Sequence, residues 1–325
     1  MFNPKIFLVS IFSLALTIVG CGNDTLENKT QVNETKAVNT NVQENIVKIA
    51  YLPITHSLAA IEAFEESVQN KSLNLKIELV RFGSWPELLD ALNTGRVDGA
   101  IVLVELAMKA REQGIPIKAV ALGHRDGNVV IGDNELENFS GVKGKTIAIP
   151  HRQSSHHILV QEALKKNNMS IADIKITELA PTEMPSALAS NQVEGYCVAE
   201  PFGAMAVNLN LGKVLYSSEE LWPDSICCGL VLTEKFINSH KELAHKFVEH
   251  YKASGAKLSD HDKALVLAQK YFKQQPKVLE QSLKWIKFDN LELTKESYDT
   301  LVSKVKEYGL SDNPPAYEDF VKNDL

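Results

Sequence analysis

The stretch Gly95-Arg96-Val97-Asp98-Gly99 recurs as Asn191-Gln192-Val193-Glu194-Gly195 in the second half of the chain. In both halves a strand, a helix, a second strand and a second helix precede this pattern, and another apolar strand follows it. Strands that alternate with helices over short connections form a sheet covered by helices, and that sheet is expected to be parallel. The repeat therefore predicts an α/β protein of two similar lobes.

Apolar runs bounded by turn residues predict where the elements lie. Strands are predicted at residues 46–51, 75–80, 99–104, 146–150 and 226–233, and helices from residue 57 and at residues 85–93 and 154–166. From Phe236 onward the pattern is helical, so the tail is expected to pack on the first lobe and to form no third sheet. We therefore assign residues 46–125 plus 230–325 to lobe 1, and residues 126–229 to lobe 2 as an insertion.

Composition narrows the class of protein. The 325 residues include 34 Lys and Arg against 41 Asp and Glu, which gives a formal net charge of −7. The hydrophobic share of 44% and the charged share of 23% are typical of a globular chain. An acidic chain without a Lys/Arg-rich run does not suit phosphate backbones, so nucleic acid is not an expected partner.

The N-terminus has the features of an export signal. Lys5 precedes an apolar run over residues 6–19, which is shorter than the roughly 20 residues that a bilayer-spanning helix needs. The end of the run, Leu16-Thr17-Ile18-Val19-Gly20-Cys21, resembles the lipobox of bacterial lipoproteins. Residues 1–20 are thus predicted to be a lipoprotein signal peptide and Cys21 the lipidated first residue. The alternative is a plain secretory signal that ends at a cysteine.

Residues 21–45 are polar and lack apolar periodicity, which predicts a disordered tether. Together with lipidation at Cys21, this tether predicts a protein that is lipid-anchored at the cell membrane and lies outside the cytoplasm.

Three further cysteines, Cys197, Cys227 and Cys228, are odd in number and lack CxxC spacing, so they indicate neither a disulfide framework nor a structural zinc site. The vicinal pair lies in an apolar run, which favours two small buried side chains over a redox or metal role. Whether Cys197 pairs with one of them stays open. The sequence predicts no metal site and no cofactor.

Three segments resemble a known family. They are Ile49-Ala50-Tyr51-Leu52-Pro53-Ile54-Thr55-His56, then Phe82-Gly83-Ser84-Trp85 with the region up to Gly99, and Gly195-Tyr196-Cys197-Val198-Ala199-Glu200-Pro201-Phe202. They are similar to the substrate-binding lipoproteins of ABC importers, in the nitrate, sulfonate, taurine and thiamine-precursor group. The resemblance covers about residues 46–236, and the doublets His156-His157 and Cys227-Cys228 depart from the family's pattern.

This resemblance implies a type 2 periplasmic-binding-protein fold, in which two α/β lobes enclose a ligand cleft. It also implies a monomer that captures a small solute by hinge closure and delivers it to an ABC permease in the membrane. The solutes it implies are nitrate, bicarbonate, sulfonates or taurine, or a pyrimidine precursor of thiamine.

Ligands of open α/β sheets bind beyond the carboxyl ends of the strands. The loops directly after the predicted strands contain nine candidate ligand-binding residues: Thr55, His56, Ser84, Trp85, Glu105, Ser154, Ser155, His156 and Glu200. Several of them have a structural alternative. Ser154 equally suits an N-cap, Trp85 a core aromatic, and Glu105 and Glu200 first-turn acids.

The charge of the ligand stays open. Helix N-termini at these loops favour an anion. Glu105 and Glu200 would instead repel an anion and accept a cationic or hydrogen-bond-donating ligand. Together with His56 and His156 they also suggest a metal ion, although no i, i+4 ligand spacing supports that reading.

An enzyme is not predicted, because GxSxG, GxxxxGK[ST], HExxH and GxGxxG motifs are absent from the sequence. The alternative is an enzyme similar to hydroxymethylpyrimidine phosphate synthase, which shares the implied fold and uses a histidine and a cysteine-rich motif. An adhesin is a third possibility, but it would leave the cleft loops without a role.

Overall fold

The computed structural model describes residues 45–325. The predictions for the signal peptide, for Cys21 and for tether residues 21–44 lie outside the described residues. The strands are β1 (Ile46–Tyr51), β2 (Lys76–Arg81), β3 (Gly99–Leu103), β4 (Ile117–Leu122), β5 (Arg125–Asp126), β6 (Asn128–Asp133), β7 (Thr146–Ile149), β8 (Lys175–Glu178), β9 (Gly195–Ala199), β10 (Gly212–Ser217), β11 (Cys228–Thr233) and β12 (Ile286–Lys287).

The helices are α1 (Leu58–Gln69), α2 (Trp85–Asn93), α3 (Val104–Glu112), α4 (Ser155–Lys166), α5 (Met184–Ala189), α6 (Phe202–Asn208), α7 (Ser218–Leu221), α8 (Glu234–Ser239), α9 (Lys241–Ala256), α10 (His261–Tyr271), α11 (Pro276–Leu283), α12 (Lys295–Glu307) and α13 (Tyr317–Phe320). The strands and helices predicted above lie within two residues of these bounds.

Two five-stranded sheets share one arrangement. Their strand orders are β2-β1-β3-β11-β4 and β8-β7-β9-β6-β10. In each sheet the first three strands are parallel, and the fourth is antiparallel to both of its neighbours. The prediction of two α/β lobes is therefore confirmed. The prediction of a purely parallel sheet is wrong, because β11 and β6 run in the opposite direction.

The central strands carry the core. Strands β3, β9 and β11 are buried along their whole lengths, which explains why they read as continuous apolar runs rather than as alternating ones. The chain passes from the first sheet to the second between β4 and β6, and it returns between β10 and β11. Two connections thus join the sheets, and both end near the site described below.

The C-terminal tail packs mainly as helices, with one exception to the prediction. Strand β12 pairs with β5 in a third, two-stranded sheet, which the sequence analysis did not anticipate. An ion pair of 3.1 Å between Lys287 Nζ and a carboxylate oxygen of Asp126 stabilises this pairing. A two-residue strand is too short to give a periodic signal in the sequence. Among residues 45–325, no helix combines the length and the apolar character needed to span a bilayer.

Candidate functional site

The loop after β1 connects the two sheets. The backbone N–H of Thr55 donates to the carbonyl oxygen of Glu200 at 2.9 Å, and the Thr55 hydroxyl donates to the same oxygen at 3.1 Å. Next to it, the Nε2 atom of His56 lies 3.0 Å from the carbonyl oxygen of Gly127. Glu200 follows β9 and Gly127 precedes β6, so the carboxyl end of β1 meets the second sheet directly.

The antiparallel strands add their first residues to the same place. Strand β11 begins at Cys228, which pairs with Leu103 at the end of β3, and the Val104 N–H donates to the carbonyl of Cys227 at 2.9 Å. Strand β6 begins at Asn128, which pairs with Ala199 at the end of β9. Starts and ends of strands therefore converge at one edge of each sheet.

Four side chains form a compact cluster at this place: His56, His124, Cys227 and Cys228, called here the His–Cys cluster. One ligand atom from each lies within 4.8 Å of the others. All four side chains are fully buried. The Sγ atoms of Cys227 and Cys228 are 3.8 Å apart, so the two thiols are free rather than joined in a disulfide.

Buried polar atoms without hydrogen-bond partners occur on residues that follow or begin these strands and helices. Among the described residues, both carboxyl oxygens of Glu105, both ring nitrogens of His156 and the hydroxyl of Ser155 have no hydrogen-bond partner. The same holds for Oε1 of Glu200 and Nδ2 of Asn128. Buried polar groups normally have partners, because an unpaired one costs about 1–3 kcal/mol. This concentration of unpaired atoms indicates a binding site for a polar solute.

Burial determines the ionisation of the site. It raises the pKa of Glu105 well above its ordinary value, and the nearby Cys227 raises it further. It also raises the pKa of Glu200 to about 8, although the hydrogen bond from the Ala204 N–H acts to lower it. Burial also lowers the pKa values of His124 and His156 to about 4. At neutral pH the Glu200 carboxyl is therefore mostly protonated and the imidazoles of His124 and His156 are neutral.

The thiols of Cys227 and Cys228 differ in the direction of their pKa shifts. Burial opposes ionisation of the Cys227 thiol, but the hydrogen bond from Cys228 and the nearby histidine rings hold the pKa of Cys227 below its usual range. Burial and the proximity of Cys227 raise the pKa of Cys228. A proton shared between the two sulfur atoms thus leaves Cys227 as the better thiolate.

Most of the predicted candidate residues lie at this boundary. Thr55, His56, Glu105, Ser155, His156 and Glu200 occupy the positions just described. Ser154 N-caps α4, because its hydroxyl accepts the N–H of His157 at 3.3 Å. Glu200 precedes the N-cap of α6, Pro201, and its Oε2 accepts the N–H of Ala204 in the first turn at 3.1 Å.

Ser84 and Trp85 are not connected with the His–Cys cluster by any hydrogen bond among residues 45–325. Trp85 belongs to the hydrophobic core and is 1% exposed, and Ser84 is partly exposed at the start of α2. The core position of Trp85 matches the alternative given for it above.

Four residues were not predicted from the sequence to bind a ligand: His124, Asn128, Cys227 and Cys228. The prediction of ligand-binding residues considered only the loops that follow predicted strands. Asn128 and Cys228 instead begin the two antiparallel strands. The signal that could have found His124 was the apolar run of β4, residues 117–122, which ends two residues before it.

The arrangement defines the class: two sheets of equal topology that enclose a buried polar site have the periplasmic-binding-protein fold. The model of the NMT1-like family matches residues 41–271, and the chain belongs to this family. The predicted fold and the family resemblance are thereby confirmed.

Three relatives illustrate the similarity. The ligand-binding component of an ABC-type import system from Staphylococcus aureus, solved with zinc bound, is 41% identical, with a TM-score of 0.83 over 86% of this chain and 97% of that one. The nitrate-binding protein NrtA from Synechocystis PCC 6803 is 17% identical, with a TM-score of 0.75 over 86% of each chain, which shows the fold alone. The nitrate import ATP-binding protein NrtC of Synechocystis is 24% identical over 216 residues, which are 59% of this chain and 32% of that protein. The chain thus spans about a third of the length of the curated relatives that match it first.

Proposed function

We propose that this chain is the extracytoplasmic solute-binding component of an ABC importer, which captures a small solute between its two sheets and delivers it to a membrane permease. The observation that supports this most is the set of buried, unpartnered polar side chains contributed by both sheets. The relatives described above, a zinc-bound import component and a nitrate-binding protein among them, support the same class.

The proposed mechanism is hinge closure of a monomer. His56 and Glu105 come from the first sheet and Ser155 and His156 from the second, so a solute can contact all four only when the sheets are close together. A solute that binds the closed form better shifts the equilibrium toward closure by its differential affinity. The closed form is then the one that the permease recognises.

A solute screen tests this proposal. Purified full-length protein is mixed separately with nitrate, bicarbonate, taurine, an aliphatic sulfonate, hydroxymethylpyrimidine and Zn²⁺. We expect one of them to raise the melting temperature and to reduce the radius of gyration in solution scattering. At 100 times its dissociation constant, such a solute adds about 2.7 kcal/mol to the free energy of unfolding. If none changes either quantity, the proposal fails.

His156→Ala is expected to weaken binding of the identified solute about tenfold, because it removes one buried hydrogen-bonding or ligating group. The matched control is His157→Ala, since the Nδ1 atom of His157 bonds the Arg152 carbonyl at 2.7 Å within its own loop. Isothermal calorimetry gives both affinities. Equal affinities of wild type and His156→Ala would remove His156 from the site.

We extend the proposal to the N-terminus, with a signal peptide over residues 1–20, a lipid on Cys21 and a tether to the membrane. Cys21→Ser removes the thiol that carries the lipid, so most of the protein is expected to move from the membrane fraction to the soluble fraction. Quantitative immunoblotting of the fractions measures this, with Cys197→Ser as the control. Retention of the Cys21→Ser protein on membranes would count against lipidation.

The enzyme alternative, related to hydroxymethylpyrimidine phosphate synthase, has no observation in its favour. We propose that the solute leaves the site chemically unchanged.

A further inference from the structure

The His–Cys cluster has the dimensions of a tetrahedral metal site. A zinc ion binds thiolate sulfur at about 2.3 Å and imidazole nitrogen at about 2.0 Å, so tetrahedral angles place two sulfur atoms about 3.8 Å apart and sulfur and nitrogen about 3.5 Å apart. The Sγ atoms of Cys227 and Cys228 are 3.8 Å apart. His56 Nδ1 lies 3.6 Å from Cys227 Sγ and 3.5 Å from Cys228 Sγ. Three donors therefore already have the spacing that a bound ion requires.

The hydrogen bond of His56 orients its ring for ligation. The carbonyl oxygen of Gly127 can only accept, so His56 carries its proton on Nε2 and donates it across the 3.0 Å contact. Nδ1 consequently presents a lone pair to the two sulfur atoms. A carbonyl that fixes the far nitrogen in this way is the usual outer-shell partner of a metal-bound histidine.

His124 supplies the fourth donor. Its ring lies against that of His56, with 3.5 Å between ring centroids, and one of its nitrogens belongs to the same four-atom cluster. Neutral imidazole is the form of histidine that binds metals. Two sulfur and two nitrogen donors select a thiophilic cation such as Zn²⁺ over Mg²⁺ or Ca²⁺, which prefer oxygen.

The charges also favour a cation over an oxyanion. Arg125 is the nearest cationic residue in sequence to His124, but its guanidinium donates to the carbonyls of Asn290 and Glu292 at 3.1 and 2.9 Å. It is therefore engaged by the C-terminal tail. Two thiolates and a divalent ion sum to zero, and a neutral assembly is tolerated in a fully buried site, whereas an unpaired anion is not.

We infer that the solute captured by this chain is a thiophilic divalent cation, ligated by His56, His124, Cys227 and Cys228. This inference rests on the proposed function and specifies its substrate class. On binding, the proton shared by the two sulfur atoms passes to solvent, and both sulfur atoms would hold the ion as thiolates. If the cysteines were only small apolar side chains, there would be no reason for two imidazoles to lie next to their sulfur atoms.

We propose that the ion is a transported solute rather than a permanent part of the fold. The residues that bear on this are Glu105, Ser155 and His156. Glu105 directly follows Val104, whose N–H donates to the carbonyl of Cys227 at 2.9 Å, so Glu105 comes from the chain segment that contacts the cluster. Ser155 and His156 begin α4, which follows β7 of the second sheet. Movement of that sheet away from the first would uncover the cluster and give the ion a route out.

The test uses the full-length protein, reduced and stripped with a chelator. With Zn²⁺ as the only probe, we expect one ion per chain and a higher melting temperature. Cys227→Ser should weaken binding at least about 100-fold, because a hydroxyl is a poor substitute for a thiolate on zinc. Cys197→Ser is the matched control, since Cys197 is equally buried but lies outside the cluster.

Co²⁺ should give the thiolate charge-transfer band of a tetrahedral site in wild type and a weakened band in Cys227→Ser.

The other outcomes separate this inference from the proposed function. Closure around nitrate, a sulfonate or a pyrimidine, with no response to Zn²⁺, overturns the inference and leaves the proposed function intact. Equal Zn²⁺ affinity in wild type and Cys227→Ser overturns the assignment of the ligands. Unfolding on chelation identifies the ion as structural and overturns its role as cargo. A chain that responds to no solute in the screen contradicts both.

Discussion

Glu200→Gln is expected to raise the free energy of unfolding at pH 9 by at most about 5 kcal/mol, and to have little effect at pH 4. Burial raises the pKa of the Glu200 carboxyl from 4.5 to about 8 in the folded protein. Between these values the folded state keeps a proton that the unfolded chain has lost, so stability falls as the pH rises through that window. Glutamine carries no charge, so the Glu200→Gln variant does not lose this part of its free energy of unfolding as the pH rises.

The amide preserves the local structure, because its oxygen can still accept the N–H of Ala204 at the start of α6. Urea denaturation of both proteins from pH 4 to pH 9 gives the free energy of unfolding at each pH. As the pH rises, the wild-type value is expected to fall relative to that of the variant. Glu137→Gln is the control: this glutamate is exposed, and its neutralisation should leave the shape of the curve unchanged. Parallel curves for wild type and Glu200→Gln would mean that water reaches Glu200 in the folded protein.

The elements of the sheets were predictable because their causes are local. The apolar run of β1 ends at a proline turn, and the helix from residue 85 to 93 has Pro86 in its first turn, which is favourable there and nowhere else in a helix. The direction of β11 was not predictable in this way. An apolar run has the same composition in either orientation, and only the long return of the chain from the second sheet makes β11 antiparallel.

The site was predictable only in part, for the same reason. His56, Glu105, His156 and Glu200 follow strands whose direction the repeat implied. Cys227 and Cys228 lie at the start of a strand, and a rule that considers only the loops after strands passes over them, so two small buried side chains were the simplest interpretation. Their meeting with His56, 171 residues away in the chain, depends on a tertiary arrangement that no spacing pattern contains.

The internal repeat leads to the second large effect, at its final glycines. Gly99→Ala and Gly195→Ala are each expected to lower the free energy of unfolding by about 3 kcal/mol, as overpacking of a buried strand does. A Cβ on Gly99 would lie 2.7 Å from the carbonyl oxygen of Val231 on β11, and one on Gly195 would lie 2.5 Å from that of Ile131 on β6. Both oxygens belong to backbone of the sheets, which cannot withdraw without disturbing the ladder.

The two glycines are equivalent in the two sheets, which is why the pattern recurs. The residue before each glycine donates its N–H to the parallel neighbouring strand, Asp98 to Lys48 on β1 and Glu194 to Thr146 on β7, both at 2.9 Å. Gly83→Ala is the control: its Cβ would meet only a carboxylate oxygen of Glu87 at 3.9 Å, so the change should be below about 1 kcal/mol. Urea denaturation compares the three variants. If Gly99→Ala were as stable as Gly83→Ala while Gly195→Ala was not, the two sheets would tolerate crowding differently, and the repeat would reflect similar sequence without similar packing.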